Sequence, residues 1–519
     1  MYRILLLLFV LLTASGATAD TISVAPGGSL HEALRQAREW RRTNDPRCKG
    51  GITIHISAGR YYMDEPLFIR PEDSGTPTSP LTIEGEGGTV LCGDAPQRHT
   101  QLFPKEGMER IIGFDAGRRT ITIPTPPRRV LKQKNLEMVV HQRWAMAILR
   151  VKDMKVRGKQ TEVSFLEPES RLEFEHPWPQ PVVGGEKGNS SFLLRTTEQR
   201  DGIEQLVVVQ GTEEHPIKNV ALFNLSFENT TWNRPLHKGH VTLQGGFPII
   251  DAYKLKEKEG LPWDTGLENQ AWIERPVAAV SVSHASHVVV RRCRFCHLAA
   301  TALDFVDDIH DCDVSKCIFE HIGGTAIMGG SFAESPREVH RPYDNLAARC
   351  QRLAIIDNRI VDATTEDWGA VAISLGYVSA CTIARNEISK VNYSGICVGW
   401  GWTPMKTGME ANYIIANKVY DYARQLYDAG GIYTLSNQPY SHISHNEIGS
   451  PYPAPYATND RGFRIYLDAR TDGYTLKDNI TKDHEESVGR PIRRDEIGEN
   501  NIGPDMKFII GSTTTPAVE

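Results

Sequence analysis

A short pattern of apolar and polar positions recurs along the C-terminal half of the chain. Most copies have an apolar residue, two variable residues, Asn or Cys, one variable residue, and then Ile, Val or Phe. The central residues are 24 to 41 residues apart and are Cys293, Cys317, Asn358, Asn386, Asn417, Asn446 and Asn479. Such spacing is typical of solenoid repeats, because one copy is too short to bury its own apolar face. The pattern predicts stacked coils with an internal ladder of Asn amides.

A second apolar element precedes most of these copies and fixes a register between them. Ile432 and Ile465 each lie fourteen residues before the Asn of the next copy, so their strands align. If both isoleucines point inward, strand alternation places Tyr433 and Tyr466 in one outward row. Asp468 then falls in the next outward row, where it faces solvent. We therefore expect a groove on this face.

The N-terminal region predicts one helix among short strands. Ser29 followed by Glu32 forms a capping box, and apolar residues at helical spacing continue towards Arg42. Strands with breakers between them are predicted at residues 21–24, 52–56, 67–69 and 81–84. Together with the repeats, this predicts an all-β parallel β-helix whose N-terminal end is capped by the helix.

The regular pattern is interrupted between residues 98 and 211. This region is richer in charge and proline, although runs such as Glu162 to Leu166 still alternate as strands do. We predict a smaller inserted β domain at 98–211, with the first coils at 20–97 and the main β-helix at 212–519. A set of long loops on the same scaffold is the alternative.

Composition excludes several classes of partner. The chain has 519 residues, with 58 Lys and Arg against 64 Asp and Glu and a net charge of -6. Because no basic block is present, nucleic acid and anionic membranes are poor partners. A neutral or weakly charged substrate fits better, and we expect a monomer.

The cysteines and clustered acids offer weak metal signals. Cys293 and Cys296 form a C-x-x-C with Cys312 and Cys317 nearby, which is compatible with zinc, but buried free thiols stacked inside a repeat fit better. A calcium site is the alternative use of Asp304, Asp307, Asp308, Asp311 and Asp313. Acids scattered over β-helix turns are the commoner explanation. We predict no metal, no cofactor and no disulfide framework.

The first nineteen residues have the features of a secretory signal peptide. A short basic start is followed by an apolar run from Ile4 to Leu12 and by the small residues Ala17-Thr18-Ala19. A membrane anchor is the alternative, but the run is shorter than the ~20 residues that span a bilayer. We therefore expect export, to the periplasm or the medium, with Asp20 as the first mature residue.

The candidate chemistry lies between Ser394 and Arg470. Two lone carboxylates, Asp428 and Asp468, occur among glycines and aromatic residues. Sugar faces stack on aromatic rings and carboxyl groups transfer protons, so this mixture indicates glycoside cleavage. The candidate substrate contacts are Trp400, Trp402, Tyr433 and Tyr466. The alternatives are turn-capping for the aspartates and packing between coils for the aromatic residues.

Three motifs in this stretch resemble glycoside hydrolase family 141, which adopts a right-handed parallel β-helix. They are Gly399-Trp400-Gly401-Trp402, Asp428-Ala429-Gly430-Gly431-Ile432-Tyr433-Thr434 and Ile465-Tyr466-Leu467-Asp468. The resemblance implies an α-L-fucosidase or xylanase type of activity on plant cell-wall polysaccharides. It also implies two catalytic aspartates, which fall on Asp428 and Asp468.

The distance between the two aspartates is a difficulty for this hypothesis. Counted along extended strands, they would lie ~20 Å apart. Gly430 and Gly431 would therefore have to bend the chain back towards the groove. If they do not, Glu366 or Asp367 on an earlier coil is the reserve partner of Asp468.

Two other functions remain open at the level of sequence. A polysaccharide lyase can use the same scaffold, although residues 394–436 offer Lys406 and Arg424 without a tight basic cluster. A carbohydrate-binding β-helix without catalytic activity is the other alternative.

Overall fold

Strands of three parallel sheets alternate along the chain, so that each coil contributes to each sheet. The computed structural model describes residues 18–93, 98–176, 179–198, 202–257, 267–334, 337–338, 349–454, 462–483 and 489–510. Most of the predicted signal peptide lies outside these residues. Stacking the coils forms a parallel β-helix, as the sequence predicts.

The three sheets of the β-helix are numbered here as sheets 1, 2 and 3. Sheet 1 comprises Asp20–Val24, Ile52–Ile56, Leu81–Gly85, Ile217–Phe223, Ala285–Arg291, Ile309–His310, Asp313–Ser315, Cys350–Gln351, Ala354–Ile356, Val378–Ser379, Thr382–Ala384, Tyr413–Ile415, Asn437–Ser444, Asp472–Lys477 and Lys507–Ile509. Sheet 2 comprises Leu67–Ile69, Val207–Gln210, Ala278–Ser283, Thr301–Phe305, Ile327–Gly329, Ile373–Leu375, Ile396–Val398, Ala429–Thr434, Gly462–Leu467 and Ile497–Glu499. Sheet 3 comprises Gly59–Tyr62, Thr89–Cys92, Ser226–Glu228, Arg294–Leu298, Ile318–Ile322, Arg359–Ala363, Glu387–Val391, Lys418–Val419, Glu447–Ile448, Ile480–Thr481 and Arg490–Pro491, the last of which pairs antiparallel.

The repeated Asn forms the predicted ladder inside the coils. Asn417 Nδ2 donates a 3.0 Å hydrogen bond to Asn446 Oδ1, and the same contact of 2.9 to 3.0 Å links each of the other neighbouring rungs. Each amide also donates to a backbone carbonyl of the preceding coil, as Asn417 does to Ile383 at 2.9 Å. The rungs are Asn358, Asn386, Asn417, Asn446 and Asn479. Because these groups are buried, the ladder satisfies polar atoms that would otherwise destabilise the core.

The predicted N-terminal helix is confirmed at Leu30–Arg42. Ser29 Oγ caps it by accepting a 3.2 Å hydrogen bond from the backbone N–H of Glu32. Its buried face consists of Leu30, Ala33, Leu34, Ala37 and Trp40, which join the core of the β-helix. The helix thus covers the open end of the first coils.

An antiparallel sheet is inserted between the first and later coils. Its strands are Arg98–Phe103, Glu109–Arg110, Gly113–Asp115, Thr120–Pro124, Leu136–His141, Met146–Arg157, Gln160–Phe165, Ser191–Glu198 and His240–Val241. The strand Val207–Gln210, which the sequence pattern placed in the insert, instead pairs with Leu67–Ile69 in sheet 2. The predicted end at Gly211 is therefore too late, because the apolar run of Val207–Gln210 fits a buried parallel strand equally well.

The remaining elements are short. A second antiparallel sheet contains Ile249–Glu257, Leu267–Ile273, Ala333–Glu334 and Arg337–Glu338. The other α-helices are Arg128–Leu131, Glu169–Glu175 and Arg234–Lys238, and the 3-10 helices are Pro46–Cys48, Pro71–Asp73, Gln244–Gly246 and Arg494–Glu496. Among the described residues, no helix is both long and apolar enough to cross a bilayer.

The cysteines and turn acids have structural partners. Cys293, Cys296, Cys312 and Cys317 are buried free thiols, as predicted. Asp304 is paired with Arg275, and Asp311 with Arg352. The described part of the chain contains no group of three or more residues arranged to hold a metal ion.

Candidate active site

Asp428 lies at the start of a sheet 2 strand. It directly precedes Ala429–Thr434 and has a left-handed backbone, with φ of 61°. Asp accepts this conformation more readily than most residues because its short side chain can hydrogen-bond locally. The residue is half-buried, so solvent reaches its carboxylate.

Asp468 lies at the opposite end of the adjacent strand, directly after Gly462–Leu467. Asn500 Nδ2 donates a 2.8 Å hydrogen bond to its Oδ1, and the Tyr433 hydroxyl donates to its Oδ2. We expected this side chain to face solvent, but only 7 % of Asp468 is exposed. The row of side chains that contains Asp468 does point away from the β-helix core. However, neighbouring side chains such as Asn500 cover the Asp468 carboxylate.

The two aspartates are joined crosswise by two tyrosines. Tyr433 lies on the strand that follows Asp428 but hydrogen-bonds to Asp468. Tyr466 lies on the strand that precedes Asp468 but donates a 3.0 Å hydrogen bond to Asp428 Oδ1. The rings of Tyr433 and Tyr466 meet edge to face at 5.2 Å between centroids. In the structure, Ile432 pairs with Ile465 and Tyr433 with Tyr466, which confirms the predicted register of the two strands.

The predicted bend at Gly430 and Gly431 is absent, because the strand continues through both glycines. The two aspartates are connected instead through the side chains of Tyr433 and Tyr466, whose rings are in contact. Both glycines are required for another reason. A Cβ on Gly431 would lie 2.5 Å from Ile448 Cγ2, and one on Gly430 would lie 2.6 Å from the carbonyl of Ile432.

Gln244 orients the hydroxyl groups of this cluster from a segment that crosses the face of sheet 2. Its Nε2 donates hydrogen bonds of 2.8 Å to Tyr433 and 3.0 Å to Tyr393. A hydroxyl that accepts from Gln244 has its own hydrogen available for another acceptor. Tyr433 therefore donates to Asp468, and Tyr393 donates to the backbone carbonyl of Asp428 at 3.0 Å.

Burial sets the proton affinities in the cluster. It raises the pKa of Asp468, although the hydrogen bonds from Tyr433 and Asn500 oppose this by stabilising the carboxylate. Burial, followed by the charge of Asp468, raises the pKa of Tyr433 well above its usual range. The charge of Asp428 acts on Tyr433 in the same direction. The phenol is thus a neutral donor placed within the field of both carboxylates.

The two predicted tryptophans differ in accessibility. Trp400 is 4 % exposed and packs against Phe247 and Phe332. Trp402 is half-buried, meets Trp400 edge to face at 4.8 Å, and lowers the pKa of Asp468 through a side-chain hydrogen bond. Trp402 is therefore the tryptophan that a bound sugar can reach.

The reserve carboxylates have other partners. Asp367 Oδ2 accepts a 2.9 Å hydrogen bond from His240 Nε2, and Glu366 lies 3.1 Å from Arg195. The structure thus connects Asp468 to Asp428 through tyrosines, whereas Glu366 is held in an ion pair with Arg195 and Asp367 in a hydrogen bond with His240.

The insert also contacts the site. His141, the last residue of the strand Leu136–His141, donates through Nε2 to the carbonyl of Gln425 in the loop that leads to Asp428. Burial lowers the pKa of His141 to about 4, so its imidazole is neutral at ordinary pH. The insert therefore helps to position the approach to Asp428.

Comparison with known proteins identifies the family. A sequence model described as the GH141 insertion domain matches residues 93–200. A solved structure named "Glycoside hydrolase" is 32% identical, with a TM-score of 0.87 over 94% of this chain and 96% of that chain. The chain belongs to glycoside hydrolase family 141. It is therefore a glycoside hydrolase that acts on carbohydrate, as the resemblance in its motifs implied.

Other solved structures are less similar to this family 141 hydrolase. A structure named "The complex structure of XylC with xylose" has 10% identity and a TM-score of 0.39 over 88% of this chain and 69% of that chain. A DFA-IIIase from Arthrobacter chlorophenolicus A6, in complex with GF2, has 12% identity and a TM-score of 0.39 over 93% of this chain and 90% of that chain. No curated protein matches the sequence.

Sequence reasoning missed Gln244, Tyr393 and Asn500 as members of the cluster around Asp428 and Asp468. Gln244 carries a local signal, since it precedes two glycines with left-handed backbones. A Cβ on Gly246 would lie 2.7 Å from Asp367 Oδ2, so the glycines permit a close approach to sheet 2. Tyr393 and Asn500 carry no comparable signal.

Proposed function

We propose that this enzyme hydrolyses a glycosidic bond held between Asp428 and Asp468. The observation that supports the pair is the crossed hydrogen bonding, in which each carboxylate is held by the tyrosine of the other strand. Gln244 donates a hydrogen bond to Tyr393, which in turn donates to the backbone carbonyl of Asp428. Such a network orients both acids towards one substrate.

The different environments of the two acids support different roles. Asp468 is buried with a raised pKa, which favours the protonated form that a general acid needs. Asp428 is half-buried and open to solvent, as suits a carboxylate that attacks the anomeric carbon or activates water. In this assignment, Asp468 gives its proton to the leaving oxygen as the C–O bond breaks, and water supplies the new hydroxyl at the anomeric carbon.

We propose Trp402 and the edges of Tyr433 and Tyr466 as sugar contacts. Trp402 combines an accessible ring with a hydrogen bond to Asp468, so a stacked sugar would lie beside the acid. The buried ring of Trp400 would support Trp402 from behind.

The substrate that fits best is a neutral glycan of the plant cell-wall type. A uronate would bring its negative charge next to two carboxylates. A lyase would need a proton acceptor near the sugar, and the raised pKa of Tyr433 and of Tyr393 makes their phenols poor bases. Hydrolysis is therefore favoured over elimination.

The test of the roles uses Asp428→Asn and Asp468→Asn with aryl glycosides of different leaving groups. Loss of the general acid should lower kcat by about 10²- to 10⁴-fold for poor leaving groups and far less for activated ones. Loss of the nucleophile or base should lower kcat for every leaving group. The proposed roles predict the first pattern for Asp468→Asn and the second for Asp428→Asn.

A matched control is Asp357→Asn, which changes an outer aspartate paired with Arg385. It should leave kcat unchanged for all leaving groups. Full activity of either Asp428→Asn or Asp468→Asn would exclude that residue from catalysis. If the loss of kcat depended on the leaving group for Asp428→Asn but not for Asp468→Asn, the two roles would be reversed.

We also propose that the enzyme is exported. The basic, apolar and small-residue segments of residues 1–19 support cleavage after Ala19. N-terminal sequencing of the protein from a bacterial host should show Asp20 as the first residue, in the periplasm or the medium. An intact N-terminus in the cytoplasm would contradict export.

A further inference from the structure

Phe463 is an accessible aromatic residue beside the tyrosines that connect the two acids. It is the second residue of the sheet 2 strand Gly462–Leu467 and is half-buried. Its ring meets that of Tyr466 at 4.9 Å between centroids, with an angle of 56° between the ring planes. Because Tyr466 in turn donates a hydrogen bond to Asp428, a single ring separates Phe463 from this carboxylate.

A glycine on the next strand makes room for the Phe463 ring on the outer face of sheet 2. Gly498 pairs with Tyr466, so a side chain at residue 498 would extend the outward row of Tyr433 and Tyr466. A Cβ on Gly498 would lie 2.3 to 2.6 Å from three consecutive ring atoms of Phe463, namely Cγ, Cδ2 and Cε2. The ring therefore covers the glycine and takes the next place in the row.

The position of the Phe463 ring leaves one side of it open to solvent. Its inner side lies against the backbone of the strand Ile497–Glu499, and Tyr466 packs beside it. The accessible part of the half-buried ring is therefore the side that faces away from sheet 2. Phenylalanine has no polar atom in its side chain, so it offers a flat apolar surface to the C–H face of a sugar ring.

The aromatic cluster at the acids combines buried and accessible rings. Tyr433 and Tyr466 are almost completely buried. Trp402 and Phe463 pack against them and are half-buried. Solvent, and hence a bound sugar, reaches the cluster mainly at the rings of Trp402 and Phe463.

The two accessible rings are associated with different acids. Trp402 hydrogen-bonds to Asp468, which follows the strand on which Phe463 lies. Phe463 is near the start of that strand and pairs with Gly430, two residues after Asp428. The rings are therefore arranged along the strand direction in the same order as the carboxylates, with Phe463 towards Asp428 and Trp402 towards Asp468.

We propose that Phe463 forms the wall of the subsite for the sugar that carries the anomeric carbon, whereas Trp402 contacts the leaving sugar. This assignment rests on the proposed function, in which Asp428 acts at the anomeric carbon and Asp468 protonates the leaving oxygen. A glycosidic bond held between the two carboxylates then has one sugar unit towards each accessible ring. Phe463 selects a sugar that presents an apolar face, because its ring forms no conventional hydrogen bond.

The affinity of Phe463→Leu for oligosaccharides tests this contact without turnover. Leucine keeps the apolar packing but removes the flat ring, so affinity should fall about 3- to 10-fold, as loss of one aromatic contact implies. Phe463→Tyr keeps the ring and should restore the affinity. The measurement is titration calorimetry with xylotetraose and with a fucosylated xyloglucan oligosaccharide. All variants are compared in the Asp428→Asn/Asp468→Asn background, which keeps the ligand intact.

Glycosyl fluorides distinguish the two subsites, because fluoride leaves without a sugar attached. With α-L-fucosyl fluoride and β-D-xylobiosyl fluoride, Phe463→Leu should lower kcat/KM about 3- to 10-fold, as much as it does with an oligosaccharide. Trp402→Leu should lower kcat/KM far less for the fluorides than for the oligosaccharide. This split between substrates would not arise if Phe463 served only to pack the fold.

Phe68→Leu is the matched control for Phe463→Leu. Phe68 is an exposed phenylalanine on the strand Leu67–Ile69, at the opposite end of sheet 2. Its replacement should leave both the affinity and kcat/KM unchanged. Gly498→Ala provides an independent variant, since its Cβ would displace the Phe463 ring without removing it. We expect Gly498→Ala to weaken oligosaccharide binding as Phe463→Leu does.

Two results would overturn the proposal. One is an unchanged oligosaccharide affinity of Phe463→Leu, which would make the ring a packing residue. The other is a loss of kcat/KM that is confined to substrates with a leaving sugar, which would move Phe463 to the leaving side. Failure of the proposed function is a separate outcome. Full activity of the Asp428→Asn and Asp468→Asn variants would refute the roles of the acids, while weaker binding by Phe463→Leu would still establish the sugar contact.

Discussion

Tyr466 donates a 3.0 Å hydrogen bond to Asp428, although the two residues belong to neighbouring strands and different coils. Asp428 is therefore positioned by the coil that follows it. The converse holds for Asp468, which is bound by Tyr433 of the preceding coil. Stacking of coils thus determines the geometry of the two acids, and the proposed catalysis depends on sheet register.

Tyr433→Phe should alter the pH profile as well as the rate. The Tyr433 hydroxyl lowers the pKa of Asp468, so its removal lets burial raise that pKa further. If Asp468 is the general acid, it stays protonated to higher pH, and the basic limb of kcat/KM moves upward. The maximal rate should fall about 10-fold, as loss of a hydrogen bond to a charged group implies.

The measurement for Tyr433→Phe is kcat/KM against pH with one aryl glycoside. Tyr440→Phe, which changes an exposed tyrosine, is the control and should match the wild type. An upward shift of the acidic limb instead would show that Asp468 acts in its ionised form.

Gln244→Glu should impair catalysis at least as much as Gln244→Ala. The amide donates to Tyr433 and Tyr393 and thereby directs their hydrogens onward. A carboxylate in this place accepts from Tyr433 and turns its hydrogen away from Asp468. We expect kcat to fall about 10-fold or more for Glu, with a smaller change in KM. If Gln244→Glu retains the wild-type kcat and pH profile, the donor function of Gln244 is excluded.

Asp468→Asn should stabilise the fold in a pH-dependent way. The pKa of Asp468 is raised in the folded state, so its contribution to stability is complete below its ordinary pKa of 3.8 and is lost as pH rises through the folded pKa. The amide has no charge to bury. The variant should therefore melt at the same temperature as the wild type in acid and at a higher temperature than the wild type near neutrality.

Thermal unfolding of Asp468→Asn across the acid range checks this expectation. Asp357→Asn, at an exposed ion pair, provides the comparison and should show no such gain. A variant that is equally stable at every pH would show that the hydrogen bonds from Tyr433 and Asn500 fully offset the burial of the charge.

Asn417→Ala should destabilise the β-helix by ~3 kcal/mol, because it leaves buried groups of both neighbouring coils unpaired. Asn417 bonds to Asn386 and Asn446 within the ladder. Asn479→Ala should cost less, since Asn479 contacts only one other described rung. Urea unfolding compares the two variants. Equal losses would show that the ladder does not act through neighbouring coils.

Short-range sequence patterns were sufficient to predict the coils and part of the site. The period of the Asn copies predicted the ladder, and alternation about Ile432 and Ile465 predicted the shared row of Tyr433 and Tyr466. These features repeat or alternate over short distances, so the sequence displays them directly. The capping helix was equally visible because Ser29 and its apolar face are local signals.

Contacts between distant segments could not be predicted in the same way. Gln244 meets Tyr433 across 189 residues, and no periodicity connects them. The cover over Asp468 arises partly from Asn500, which is on a later coil. Val207–Gln210 was assigned to the insert because its apolar run gives no sign of which sheet it joins.

The contact between His141 and Gln425 ties the loop that leads to Asp428 to a module that the coils do not encode. The proposed catalytic carboxylates belong to the repeating scaffold, whereas this contact belongs to the insertion. Evolution can therefore alter the approach to Asp428 through the insertion while the coils that carry both acids stay as they are.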